Sequence, residues 1–270
     1  MRYIGIQLKM ICSKKGFQVS FLIFLCYAMI VTIIGAWTQQ GKDVSELIHP
    51  ALMTGVNSYV DYSWYFARYF AFLVVLPSGF VFFQDKKTGM EMFQKSRMGN
   101  RNYYISKTIA VFLAGFIACV VPFLLEILAN MIIFPKGAVA DGSGWPMYTD
   151  LYMQHAGNYI LGDLFIRNLY LYAICNVMLL GTFAGCACVF AAGISRFPIK
   201  FKIFLFLPVY LTVYLVGSMS DEKLWAYMET YFVCCDGEQN MSMPLYLGVM
   251  GFMFLAGIIC MMVTAGKNEV

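Results

Sequence analysis

Charge is scarce in this chain. Only 13% of its 270 residues are Asp, Glu, Lys or Arg, too few to cover a soluble domain of this length. Histidine is scarcer still. His49 and His155 lie far apart in sequence, so there is no H-E-x-x-H helix and no imidazole cluster for a metal. A Gly-x-Ser-x-Gly nucleophile elbow is also missing. The segment Gly35 to Lys42 (GAWTQQGK) only imitates a phosphate loop: five residues rather than four separate its glycines, Asp43 replaces the Ser or Thr, and an apolar run precedes it where a strand is needed. Cysteine is plentiful, at nine, but Cys186-x-Cys188 lacks metal spacing and a nearby histidine. Cys12, Cys26, Cys119, Cys175 and Cys260 lie with that pair in or beside apolar runs, where small side chains pack well. Cys234 and Cys235 are neighbours, too close for an unstrained bridge to each other, which leaves a link between chains or two free thiols. No internal repeat or low-complexity tract stands out. The chain is therefore expected to be no enzyme, with no catalytic residue, no metal and no cofactor of its own.

What is present is apolar. Hydrophobic residues make up 60% of the chain, against about 45–50% in soluble domains. A helix needs about 20 apolar residues to cross roughly 30 Å of hydrocarbon. Windows of that kind predict six spans, at 16–37, 63–83, 108–134, 169–195, 203–219 and 244–266. The runs are continuous rather than alternating, which excludes barrel strands. The expected fold is thus an all-α membrane protein, one permease-like domain over 1–270, with six transmembrane helices. The first run is too long and starts too late for a cleavable signal, so it is expected to stay. Pro77, Pro122 and Pro208 fall inside spans and should kink or loosen them. Gly181, Ala184, Gly185, Cys188, Ala191 and Ala192 give the fourth span a small-residue face for close helix packing.

Lysine and arginine favour cytoplasmic loops. With the N-terminus inside, the cytoplasmic pieces 1–15, 84–107, 196–202 and 267–270 hold 14 basic and 3 acidic residues, whereas the outer loops hold 4 basic and 11 acidic. Only Arg68 and Glu126 are charged within spans. A charge at mid-span needs a partner or water, so both are candidates for structural pairing or for a substrate path. Ahead of the first span, Ile4, Leu8 and Ile11 share one helical face while Arg2 and Lys9 lie opposite, the pattern of an interfacial amphipathic helix. In the first outer loop, Leu47, Ile48, Leu52, Met53 and Val56 suggest a short helix grazing the surface. The second has a turn-rich patch from Asp141 to Pro146, and the third is acidic.

The segment 84–107 carries six basic and two acidic residues between two apolar runs. Thr88 is placed to cap a short helix, Met90 and Phe93 share a face, Glu91 and Lys95 form an i,i+4 pair, and Gly99-Asn100 supplies a stop. In this order of acid, glycine, short helix, arginine and Tyr-x-x-Lys, the chain resembles the membrane subunits of type-2 ABC exporters. In that family an Asp or Glu, a glycine four residues on, an arginine twelve further and a lysine six further mark a cytoplasmic coupling helix between spans two and three. Asp85, Gly89, Arg101 and Lys107 stand at those spacings. One departure is Met98-Gly99-Asn100, where many members have a proline ahead of the arginine.

The resemblance implies a half-transporter in a bacterial cell (plasma) membrane, with both termini cytoplasmic. It would pair with a second permease subunit, identical or related, and with two ABC ATPase subunits that bind ATP and Mg. Met90, Met92 and Phe93 would anchor in the ATPase, with Glu91, Lys95 and Arg97 as the polar rim. Short outer loops and 17% aromatic residues suggest an amphipathic or hydrophobic cargo, an antimicrobial peptide being the preferred class. An ion-driven carrier would need more ionisable groups at mid-membrane than Arg68 and Glu126. An immunity or sensor subunit without transport remains an alternative.

Overall fold

The computed structural model describes residues 2–44, 46–57, 63–135, 159–197, 202–219 and 243–266, and the described chain is a bundle of helices. Four of them are long and apolar enough to cross a membrane: α2 (Lys15–Thr38), α6 (Asn100–Ile133), α8 (Leu169–Ile194) and α10 (Met243–Gly266). Around them lie α1 (Arg2–Cys12), α3 (Ser63–Leu73), α4 (Val81–Lys87), α5 (Met90–Met98), α7 (Gly162–Arg167) and α9 (Leu207–Met219).

Helix α8 is the centre because its small residues let neighbours come close. A Cβ on Gly185 would sit 2.7 Å from the Phe112 ring of α6, and Gly193 meets the backbone of Gly257 in α10. Gly181, Ala184, Cys188, Ala191 and Ala192 are all buried, as their helical spacing predicts. Toward one end the core is aromatic. Tyr27 stacks on Phe66 at 4.3 Å, and Phe123 meets Phe66 edge-on at 5.5 Å.

The predicted span 63–83 is not one helix. It divides into α3 and α4 around a buried run of turns, 74–80. Pro77 has no N–H to give the Leu73 carbonyl, which accepts from Leu76 N at 3.2 Å instead. Exposed backbone of this kind is not tolerated in hydrocarbon. Here it is covered by protein: Cys188 Sγ donates to Val74 O at 2.9 Å, and Ser78 Oγ donates to Val111 O at 3.0 Å. The absence of a side chain on Gly16 lets the start of α2 lie against the Leu76 carbonyl.

The other two prolines do not end their helices. Pro122 is buried within a continuous α6. Pro208 occupies the second position of α9, where a missing N–H costs nothing. The predicted span 203–219 consists of a 3-10 turn, Lys202–Leu205, followed by the 13-residue α9. Helix α6 begins at Asn100, eight residues before its predicted span, because the end of the basic segment is itself helical.

The predicted first outer loop forms no surface helix among its described residues 39–44 and 46–57. These are turns, bends and extended chain, and residues 50–57 are buried. Leu52 joins Tyr159, Phe165 and Tyr172 in a small cluster under α7. His49 packs on Tyr170 at 5.0 Å, accepts from Ala51 N at 3.2 Å, and burial lowers its pKa from the usual histidine value. The turn-rich patch, His155, the acidic third loop and the pair Cys234 and Cys235 lie outside the described residues.

Candidate functional site

The segment 84–107 folds as two helical pieces leading into a third. Lys86 and Lys87 sit in the last turn of α4, favourable for its dipole. Thr88 does not cap the next helix: its hydroxyl donates back to Gln84 O at 2.9 Å and so closes α4. The cap position of α5 is held by Gly89 at φ +71°, a conformation that side chains resist. Gly99, at φ +78°, separates α5 from α6 and lets the chain turn back toward the bundle. The stop expected at Gly99-Asn100 is therefore made by the glycine alone, since Asn100 already belongs to α6.

Helix α5 has two faces. Toward the bundle, Gln94 is buried, and Glu91 and Lys95 are partly so. Glu91 pairs with Lys95 at 2.9 Å and with Arg196, just past α8, at 3.4 Å, and accepts from the Tyr104 hydroxyl at 3.4 Å. The Arg196 guanidinium also lies over the Tyr104 ring at 4.6 Å and near Phe82 at 5.7 Å. Its Nε and Nη1 make no hydrogen bond among the described residues, so ring faces and charge hold it. Burial works against the charge of Lys95, but Tyr104 and the Glu91 carboxylate outweigh it and raise its pKa. On its outer face, Met92 is 76% and Phe93 50% exposed, Met90 is also exposed, and Arg97 covers the Phe93 ring at 4.1 Å.

Next to α5 lies a buried ionic centre. Asp85 Oδ2 meets Lys107 at 2.5 Å and accepts weakly from the Tyr103 hydroxyl at 3.4 Å, while Oδ1 meets Lys14 at 3.1 Å. Lys107 is fully buried. An ammonium in such a place costs several kcal/mol of hydration unless paired. It is also held by Gln7 Oε1 at 2.9 Å, and Gln7 in turn donates to Gln94 of α5 at 2.9 Å. Residues from α1, the α1–α2 turn, α4, α5, α6 and the end of α8 thus share one polar end.

Of the residues singled out by sequence, Asp85, Glu91, Lys95 and Lys107 turn inward, while Met90, Met92, Phe93, Arg97 and Arg101 stay exposed. Gln7, Lys14, Gln94, Tyr103 and Arg196 complete the site without having been singled out, beside Tyr104 of the Tyr-x-x-Lys element. A signal existed for two of them: Gln7 and Lys14 flank the apolar Ile11 at helical spacing.

Arg68 and Glu126 do not come together. Arg68 is exposed on α3 and forms no ion pair among the described residues. Glu126 is buried, and its Oε1 accepts from Gly55 N at 2.9 Å. One turn on, Asn130 donates to Met53 O, and Tyr27 donates to Gly55 O at 2.8 Å. These contacts clasp the buried loop against α2 and α6. No protein-family model, curated protein or solved structure matches this chain.

Proposed function

We propose that the chain is the membrane-spanning permease subunit of an ATP-driven exporter. Its six spans are α2, the broken pair α3 and α4, α6, α8, α9 with its leading 3-10 turn, and α10. The polar end and both termini face the cytoplasm, because the basic pieces gather there.

The two-faced α5 carries this reading. An exposed apolar pair, Met92 and Phe93, on a short helix outside the four long spans is a handle for a soluble partner. The opposite face is tied to the bundle, so a pull on α5 reaches α1 through Gln94 and Gln7, α6 through Glu91 and Tyr104, and the end of α8 through Arg196. The partners are two ABC ATPase subunits, which bind ATP and Mg, and a second permease subunit. The cargo is amphipathic or hydrophobic, an antimicrobial peptide being the favoured class, and the site is a bacterial cell membrane.

The test is Phe93→Asp, coexpressed with the ATPase encoded nearest to its gene. The charge destroys the apolar handle and leaves the inward face untouched. The variant should purify as a folded membrane protein that no longer retains the ATPase. Wild-type retention with normal cargo-stimulated ATP hydrolysis would sink the reading.

A further inference from the structure

The corner where α1, α2 and α4 meet holds more positive charge than the protein neutralises. Both oxygens of Asp85 are committed, one to Lys14 and one to Lys107. Next to them in sequence, Lys15, Lys86 and Lys87 are exposed, and Lys9 is exposed on α1. The one other acidic residue described at this end, Glu91, is engaged by Lys95 and Arg196. The contact between Gly16 and Leu76 O and the Lys14–Asp85 pair place the start of α2, with Lys15, against the segment that carries Lys86 and Lys87.

The depth of that patch is fixed by its neighbours. Lys14 and Lys15 precede the first apolar turns of α2, whose Val19, Leu22 and Ile23 are exposed and need hydrocarbon around them. On α1, Tyr3 and Ile6 are exposed near Lys9. Lysines that avoid hydrocarbon, within two turns of side chains that seek it, lie at the level of lipid headgroups.

We propose that this patch binds the phosphate of an anionic phospholipid, with Lys15, Lys86 and Lys87 around the headgroup and Lys14 joining it to Asp85. A lysine ammonium has three donors. Lys14 makes one contact, to Asp85, and its side chain is 25% exposed, so further donors are open to the headgroup. The adjoining exposed apolar face of α2 accommodates the acyl chains, which a free anion would not use. The inference goes beyond the exporter reading and stands without an ATPase.

The test uses the full-length protein in neutral detergent, titrated with micelles carrying phosphatidylglycerol or phosphatidylcholine of matched acyl chains. Retained lipid and the thermal midpoint are read. Phosphatidylglycerol should be preferred by roughly tenfold or more and should raise the midpoint, with the preference falling as salt is added. The combined variant Lys15→Gln, Lys86→Gln and Lys87→Gln changes only exposed side chains. It should keep the midpoint in lipid-free detergent within a few degrees of wild type, the loss of the two lysines at the end of α4 being small, and lose about tenfold of the preference. Lys42→Gln, exposed at the far end of α2, should change nothing. Equal retention of both lipids, an unaltered preference in the combined variant, the same loss in Lys42→Gln, or displacement by inorganic phosphate at equal concentration would each overturn the proposal.

Discussion

Asp85→Asn is the most informative substitution in the ionic centre, because it strips a fully buried Lys107 of its carboxylate. Removing one partner of a buried pair costs about 3–5 kcal/mol. Here the low end applies, near ~3 kcal/mol, since Gln7 Oε1 still accepts from Lys107 at 2.9 Å and the part-exposed Lys14 turns to water. Lys107→Met costs less, about 1–2 kcal/mol, because Asp85 keeps Lys14 at 3.1 Å. With both changes neither buried charge remains, so the combined loss should fall short of the sum by about the 1–2 kcal/mol that Lys107→Met costs alone, or more. At roughly 2–4 °C per kcal/mol for a chain of this size, Asp85→Asn should lower the thermal midpoint in a fixed detergent by about 6–12 °C. The double variant should sit at or above Asp85→Asn. Strict additivity of the two shifts would show that the pair does not interact and would refute the energetic account.

Gly89→Ala should cost about 1 kcal/mol from backbone strain alone, because nothing lies within 4 Å of its missing Cβ. Gly185→Ala forces a Cβ to 2.7 Å from Phe112 and should cost more, about 1–3 kcal/mol, and the reverse ranking of midpoints would contradict the packing. Glu126→Gln keeps an acceptor for Gly55 N–H, whereas Glu126→Leu strands that buried donor for about 1–3 kcal/mol, so equal losses would rule out the clasp. A substrate-path role for Glu126 would appear separately, as transport per folded complex that depends on cargo charge. Cysteine reporters at Gly142 and Gly237 should be labelled from outside, and reporters at Gly99 and Pro198 should not; outside labelling of Gly99 reverses the orientation.

The four long helices are legible in the sequence because an apolar run above about 20 residues carries its own signal. The prolines show where that signal stops. Pro77 and Pro122 stand in similar apolar runs, yet one ends a helix and the other does not. The difference lies in the neighbours: the Cys188 thiol donates to Val74 O at the break, and Ser78 beside Pro77 donates to Val111 O. Neither Cys188 nor Val111 is local in sequence. The same limit applies to α5. Its short-range pair, Glu91 with Lys95, follows from i,i+4 spacing and is present at 2.9 Å. Which face turns inward depends on Arg196 and Gln7, both distant in the chain. Loop 44–57 hides in the same way, since its apolar residues fit a surface helix as well as turns held by Glu126, Asn130 and Tyr27.

Helix α6 joins the two polar regions. Lys107 and Glu126 are 19 residues apart on it, which at about 1.5 Å per residue is roughly 28 Å, close to the ~30 Å of bilayer hydrocarbon. Its two buried ionisable side chains therefore stand toward opposite ends of the helix, and exposed Leu128, Met131, Ile132 and Ile133 extend the apolar surface past Glu126. At one end Lys107 gathers α1 and α4, and at the other Glu126 and Asn130 hold loop 51–57. Between them, Gly115 packs on Cys188, Phe112 on Gly185 and Val120 on Gly181. A helix packed so closely moves with α8 as one body more readily than it bends. The weak point is Pro122, which leaves the Ala118 carbonyl without its i+4 donor. It lies on the Glu126 side of these glycine contacts, four residues before Glu126. A displacement of α5 that shifts Lys107 must therefore carry α6 as far as Pro122, and it reaches the clasped loop only to the extent that the helix resists bending there.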